Sequence, residues 1–188
     1  DRYTDTLCDI ETILDQTESD IRAYNDDRLG WNAHGIRLWK RPHFRKFFGS
    51  FGPVRFRRHT GDNPNMVWSA QAPADTTMTR VEDGFIRSKG LGAELIPALS
   101  LVMDRRGIYY DPTRPSDLEH LLAHGPELRR DQRIRTERII KRIVSGQISK
   151  YNLSGDTGDL PAGPKILVIG QVEDDASIKL GCPDMCDN

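Results

Sequence analysis

The feature that most restricts this chain is a change of texture close to its end. Residues 155–164 hold three glycines and two prolines, a composition suited to a linker. Directly after them stands Lys165-Ile-Leu-Val-Ile-Gly170, an unbroken apolar run rich in β-branched residues. A strand covered on both faces of a parallel sheet reads this way, whereas a half-exposed strand alternates. The expected organisation is a first domain over 1–154, a linker over 155–164, and the first strand and loop of a second domain over 165–188. Since the sequence closes at Asn188, that second α/β domain is expected to be truncated.

Upstream of the linker the periodicity changes several times. Residues 8–24 place Ile10, Ile13, Leu14, Ile21 and Tyr24 at helical spacing among acidic residues. Residues 29–51 interleave Trp31, Trp39, Phe44, Phe47 and Phe48 with Arg37, Lys40, Arg41, Arg45 and Lys46. Such a mixture can stack bases and grip phosphates. With no basic charge added by the flanks, it reads better as a helix with an aromatic core side and a solvated basic side. No nucleic-acid partner is therefore expected. Strand candidates follow at 54–57, 66–69, 79–81, 99–103 and 108–110, divided by Gly61-Asp-Asn-Pro64 and Asp104-Arg-Arg-Gly107. Ser116 with Glu119 three residues on is a capping-box signature that opens a helix over 115–123. A second helix is expected over 127–144. The fold class is thus α/β: a mostly parallel sheet over 54–110 flanked by these helices.

Composition removes several function classes. A net charge of -1 gives no global attraction to nucleic acid or anionic lipid. The longest apolar run, 166–170, falls far short of the roughly 20 residues of a spanning helix, so any membrane association is expected to be peripheral. Residues 1–6 are polar and lack the apolar core of a secretion signal. Cys8, Cys182 and Cys186 form an odd set without framework spacing, which suits free thiols in a reducing compartment. His120 and His124 stand four apart but lack an intervening Glu and a third ligand, so no metal site is expected. Gly90-Leu-Gly92 lacks the third glycine of a dinucleotide fingerprint, because position 95 is Leu.

Ligands of open α/β sheets bind beyond the carboxyl ends of the strands. Two such ends carry clustered carboxylates: Glu82 and Asp83 after the strand at 79–81, and Glu173, Asp174 and Asp175 after the run at 166–170. A carboxylate placed there can act as nucleophile, general base or metal ligand. Neither Ser88 nor Ser177 has a plausible His nearby in sequence, so a Ser-His-Asp hydrolase has no support.

The run from Arg80-Val-Glu-Asp-Gly-Phe-Ile-Arg-Ser88 through Tyr-Tyr-Asp111 resembles the KpsC-type capsule polysaccharide biosynthesis proteins. So do Ser149-Lys-Tyr-Asn152, Gly170-Gln-Val-Glu-Asp-Asp-Ala-Ser-Ile178 and residues 31–46, in the same order. The resemblance implies transfer of β-Kdo from CMP-Kdo to a glycolipid acceptor, with retained stereochemistry. It implies a module of two Rossmann-like domains, residues 1–154 being the acceptor side and 165–188 opening the nucleotide-sugar side. It also implies a place at the cytoplasmic face of the inner membrane, contact with other capsule assembly proteins, and no cofactor. Retention points to a carboxylate nucleophile and a covalent glycosyl intermediate. By the same resemblance Asp175 is the expected nucleophile, with Asp174 its rival, and Glu82 the general base. Asp83, Gly84, Arg87, Ser88, Gln171, Asp174 and Ser177 are expected to bind substrate, Arg87 by a bidentate grip on a carboxylate. The family's Lys-Pro-His-Pro stretch has no counterpart here, which implies an incomplete nucleotide site. A non-catalytic binding or scaffold fragment is the alternative.

Overall fold

Asp9 starts the first helix by accepting a hydrogen bond from the Thr12 amide at 2.9 Å, and α1 then runs over Ile10–Asp27. The structure is a computed structural model and describes residues 1, 5–56, 63–73, 77–153, 155, 158–166, 168, 170, 172 and 175–182. The buried Asp27 carboxylate accepts from Trp31 Nε1 at 2.6 Å and so ties the end of α1 to the sheet. Between them Gly30 turns the chain at φ +74°, where a Cβ would collide with the Pro53 carbonyl.

The sheet contains β1 (Trp31–His34), β2 (Val54–Arg55), β3 (Asn65–Trp68), β4 (Thr79–Asp83) and β5 (Leu101–Asp104). Their order is β2-β1-β3-β4-β5. The first four strands pair in parallel, and β5 closes one edge antiparallel to β4. Trp31 and Ala33 point to one face of β1 and Asn32 to the other, and all three are buried. On the first face α2 (Arg41–Phe48) presses Phe44 and Phe48 onto Trp31, Ala33, Met66 and Val81. Leu101 and Met103 of β5 extend this core. The α/β class expected from the sequence therefore holds, with a mostly parallel sheet.

Three local expectations need correction. Residues 29–51 are not one helix: they supply β1, a 3₁₀ turn at Leu38–Lys40 and α2. Aromatic spacing misled here because Trp31 is buried from a strand and Phe44 and Phe48 from a helix. Residues 108–110 are not a strand. The Asp104 carboxylate accepts from the amides of Arg106, Gly107 and Asp117, which folds the chain back on itself before a strand can form. Ile108 is buried in the resulting turn. The strand candidate at 99–103 is shifted to Leu101–Asp104.

Beyond the sheet, α3 (Asp117–His124) has the full Ser116–Glu119 capping box. Next come α4 (Arg130–Ser145) and a short α5 (Ala176–Gly181). Lys165, Ile166, Val168 and Gly170 have no strand partner among the described residues, and Ile166 is 94% exposed. The doubly buried strand expected there is not formed among the described residues. Leu167, Ile169 and Cys186 lie outside the described residues.

Candidate active site

Strand order reverses at β1, with β2 on one side and β3 on the other. A crevice is expected outside the carboxyl ends at such a point. A cleft of about 610 Å³ lies there, with Lys40, Trp68, Asp83, Arg87 and Gly92 among its walls. The carboxyl end of β4 feeds it. Asp83 Oδ2 accepts from Arg87 Nε at 2.6 Å, and Asp83 Oδ1 lies 3.8 Å from Lys40 Nζ. That second distance is an ion pair without a hydrogen bond. Lys40 Nζ also sits 3.2 Å from the centre of the Trp68 ring, a cation–π contact. Burial pulls the Lys40 pKa below its ordinary value, while Asp83 and Glu82 pull it back up.

Arg87 is 1% exposed, which is unusual for a cation and requires fixed partners. Its Nη1 donates to Ser88 Oγ at 2.8 Å, and Ser88 Oγ donates to the Gly90 carbonyl at 2.7 Å. The loop backbone is bound to the chain after α4. The Arg87 and Ser88 amides donate to the Lys150 carbonyl, the Gly90 amide to the Tyr151 carbonyl, and Asn152 Nδ2 to the Ser88 carbonyl. Arg87 Nη2 and Asp83 Oδ1 remain buried without hydrogen-bond partners among the described residues. A Cβ on Gly92 would stand 2.8 Å from Nη2, so only glycine leaves room beside it. Unsatisfied donors of this kind are costly unless a ligand or water completes them.

Glu82 points to the opposite face of the sheet from Asp83, as neighbours in a strand must. Burial raises its pKa to about 7, partly offset by the hydrogen bond that its Oε1 accepts from the Asp83 amide at 3.0 Å. Tyr109 and Tyr110 stand on that side. Tyr109 donates to the Asp83 carbonyl at 3.4 Å, and Tyr110 to Ser69 Oγ at 2.8 Å. Burial, then the Glu82 charge, lifts the Tyr109 pKa to about 12, so its hydroxyl keeps its proton.

Asp175 is the N-cap of α5. Its Oδ1 accepts from both the amide and the hydroxyl of Ser177, at 2.8 and 2.6 Å. Those bonds hold the carboxyl below its ordinary pKa, and Lys150 adds to the effect. Lys150 also acts on Glu82, and Asp175 on Tyr110. The two carboxylates thus belong to one electrostatic neighbourhood, although no direct contact joins them. Gln171, Glu173 and Asp174 lie outside the described residues.

Among the other expected substrate contacts, Ser88 and Gly84 are occupied in bracing the fold. Ser88 spends its hydroxyl on Arg87 and Gly90. Gly84 donates to the Ser100 carbonyl at 2.9 Å, so close that a Cβ would overlap Ser100. Lys40, Trp68, Tyr109, Tyr110 and Gly92 were not among the site residues expected from the sequence. Lys40 lies in the 3₁₀ turn that follows β1 and Trp68 ends β3, and the parallel pairing of β1 with β3 brings them together.

A mostly parallel sheet flanked by helices, with a cationic, aromatic cleft at the carboxyl ends of its strands, is a Rossmann-like α/β arrangement. Comparison with known proteins agrees. Residues 67–154 match the family described as capsule polysaccharide biosynthesis protein. The chain is similar to the lipopolysaccharide-processing protein LpsZ of Rhizobium meliloti: 36% identical over 174 residues, covering 79% of this chain and 40% of LpsZ. It is 37% identical over 175 residues to the capsule polysaccharide modification protein LipA of Neisseria meningitidis serogroup A, covering 82% of this chain and 25% of LipA. Two solved structures resemble it. Thermosulfurimonas dismutans KpsC, beta Kdo 2,4 transferase, superposes with a TM-score of 0.67 at 32% identity, covering 82% of this chain and 52% of that one. The beta Kdo 2,7 transferase of the same organism's KpsC superposes with a TM-score of 0.60 at 29% identity, covering 84% and 53%. The chain is thus similar to capsule polysaccharide biosynthesis proteins of the KpsC type over most of its own length, and it spans about half or less of each relative.

Proposed function

We propose that this chain forms the acceptor-side part of a β-Kdo transferase, moving Kdo from CMP-Kdo to a glycolipid acceptor in capsule polysaccharide assembly. The observation that carries the reading is Glu82: a half-buried carboxyl with a pKa of about 7 at the carboxyl end of β4. A general base is most effective when its pKa lies near the working pH. Glu82 lines the same cleft as Arg87, Lys40 and Trp68, where the two cations offer positive charge to an anionic sugar and Trp68 offers an apolar face.

In this mechanism the Asp175 carboxylate attacks the anomeric carbon of the donor and CMP departs with the bonding electrons. Glu82 then takes the proton of the acceptor hydroxyl, the hydroxyl oxygen attacks the same carbon, and the bond to Asp175 breaks. Two inversions give retention. The Ser177 bonds favour this role by keeping Asp175 ionised, and they fall on Oδ1, leaving Oδ2 for attack. Asp174 is the rival nucleophile. Arg87 would hold a substrate carboxylate, braced by Asp83 and Ser88. The protein would work at the cytoplasmic face of the inner membrane, among other capsule assembly proteins.

The test uses a protein of the relatives' length. Asp175→Asn should abolish transfer while CMP binding persists, because a nucleophile acts mainly in the transition state. Glu82→Gln should accumulate Kdo on the peptide containing Asp175, visible by mass spectrometry. Adduct on Asp174, or full activity in Asp175→Asn, would overturn the assignment. A second reading, a non-catalytic piece that only binds the acceptor, draws on the chain's coverage of just 25% of LipA. Acceptor binding without transfer in the long protein would favour it.

A further inference from the structure

We propose that Asn152 is a positioning residue for the cleft: it locks the loop that aims the Arg87 guanidinium at a substrate carboxylate. The proposal rests on the reading of Arg87 given above and adds the part of the chain that keeps Arg87 in place. Arg87 Nη2 is buried beside Gly92, on the wall of the cleft, and has no hydrogen-bond partner among the described residues. The other two nitrogens of the guanidinium are taken, Nε by Asp83 and Nη1 by Ser88. A free donor of this kind can grip a substrate only while the loop beneath it stays fixed.

That loop has left the sheet, since β4 ends at Asp83, so its main chain must find partners elsewhere. Four of the six main-chain polar groups at Arg87, Ser88 and Gly90 meet residues 150–152. The two others, the Arg87 and Gly90 carbonyls, accept from the Leu99 amide and the Ser88 hydroxyl. Three of the four bonds end on the Lys150 and Tyr151 carbonyls, which any residue type would supply. The fourth needs a side chain: Asn152 Nδ2 donates to the Ser88 carbonyl at 2.9 Å. Asn152 is itself held. Its Oδ1 accepts from the Ser149 amide, and its own amide donates to Ser149 Oγ, both at 3.0 Å. The side-chain amide cannot turn over, because its oxygen would then face the Ser88 carbonyl and its nitrogen the Ser149 amide. The backbone stands at φ +48°, a left-handed setting that asparagine tolerates better than most residues. Asparagine thus combines that tolerance with an acceptor and a donor on one short side chain.

The test measures transfer kinetics in a protein of the relatives' length. It uses an acceptor whose terminal sugar carries a carboxylate, and an analogue in which that group is reduced to an alcohol. Asn152→Asp keeps an acceptor for the Ser149 amide but sets a carboxylate oxygen against the Ser88 carbonyl. Asn152→Gly keeps the left-handed backbone and loses the side chain. Each should raise KM for the carboxylated acceptor by roughly tenfold or more, as Arg87→Lys should, because a weakened ground-state grip appears in KM before kcat. On the alcohol analogue most of the difference between the Asn152 variants and the parent should vanish, since no carboxylate is left to misplace. A residue that only braces the fold would lower activity on both acceptors alike, and that result would overturn the proposal. So would an unchanged KM in both Asn152 variants while Arg87→Lys raises it, an outcome that leaves the reading of Arg87 standing. An unchanged KM in Arg87→Lys would remove that reading and the proposal with it. Circular dichroism checks folding: Asn152→Gly carries the comparison if Asn152→Asp unfolds, and unfolding of both would mark a brace and overturn the proposal.

Discussion

Val81 and Val168 are the same residue in two regions that could hardly differ more. Val81 is completely buried between β3 and β5, whereas Val168 is 87% exposed. Their immediate sequence contexts argue the reverse, because the 165–170 run is the more apolar of the two. What separates them is neighbours. β4 has a strand on each side and α2 across its inner face, while the described part of 165–172 has no strand beside it. A strand sequence is a fit to a pleated, half-buried surface, and without that surface its propensity has little to act on.

The contrast can be broken by cutting into both regions. Phe44→Ala removes a ring from the centre of the core and should cost about 3–5 kcal/mol. Ile166→Ala removes an equally apolar side chain from the other region and should change stability by less than about 0.5 kcal/mol. Urea unfolding of the two variants decides between them. A large loss in Ile166→Ala would mean that the run is packed after all.

Protonation sharpens the comparison at the site. Glu82 has a folded-state pKa near 7, above the ordinary value of a Glu in an unfolded chain. The folded state therefore binds the proton more tightly between those values. Stability should fall as pH rises through this window, by about 3 kcal/mol, and Glu82→Gln should flatten that slope. Asp175 is shifted the other way, so its contribution is present above its unfolded pKa and is lost on acidification. Thermal unfolding at pH 2 to 8 should separate the two signs. An unchanged pH profile in Glu82→Gln would show that this carboxyl is solvated.

The smallest expected effects concern the helix caps. Ser116 caps α3 from a buried position and closes a full capping box, so Ser116→Ala should cost about 1 kcal/mol. Asp175 caps the six-residue α5 from an exposed one. Asp175→Ala should cost about 0.5 kcal/mol or less by the same measurement. Equal losses would mean that α5 is anchored as firmly as α3.

What could be read from the sequence follows the same division. α1, α3 and α4 were legible because a helix declares itself locally, through spacing and caps. β3 and β4 were legible from short apolar runs bounded by turn residues. β1 was not, because Trp31 and Ala33 sit in an aromatic, basic stretch whose period is mixed, and only pairing with β2 and β3 makes it a strand. At the site, Glu82 and Asp83 could be named, but their division between two faces could not. That needed the strand to be placed. Lys40 and Trp68 could not be found at all, since each matters through a contact with a residue distant in sequence.

The position of β1 inside the sheet also sets the order of events when the chain folds. Its partners in β2 lie some two dozen residues downstream, as at Trp31 and Val54, and those in β3 some three dozen, as at Asn32 and Asn65. Each ladder closes a long loop before its contacts return any free energy, and parallel pairing offers no tight hairpin to start from. Only β4 and β5 meet in antiparallel register. The slowest passage for this chain is therefore the search that brings β3 alongside β1, and the cleft does not exist until that search has ended.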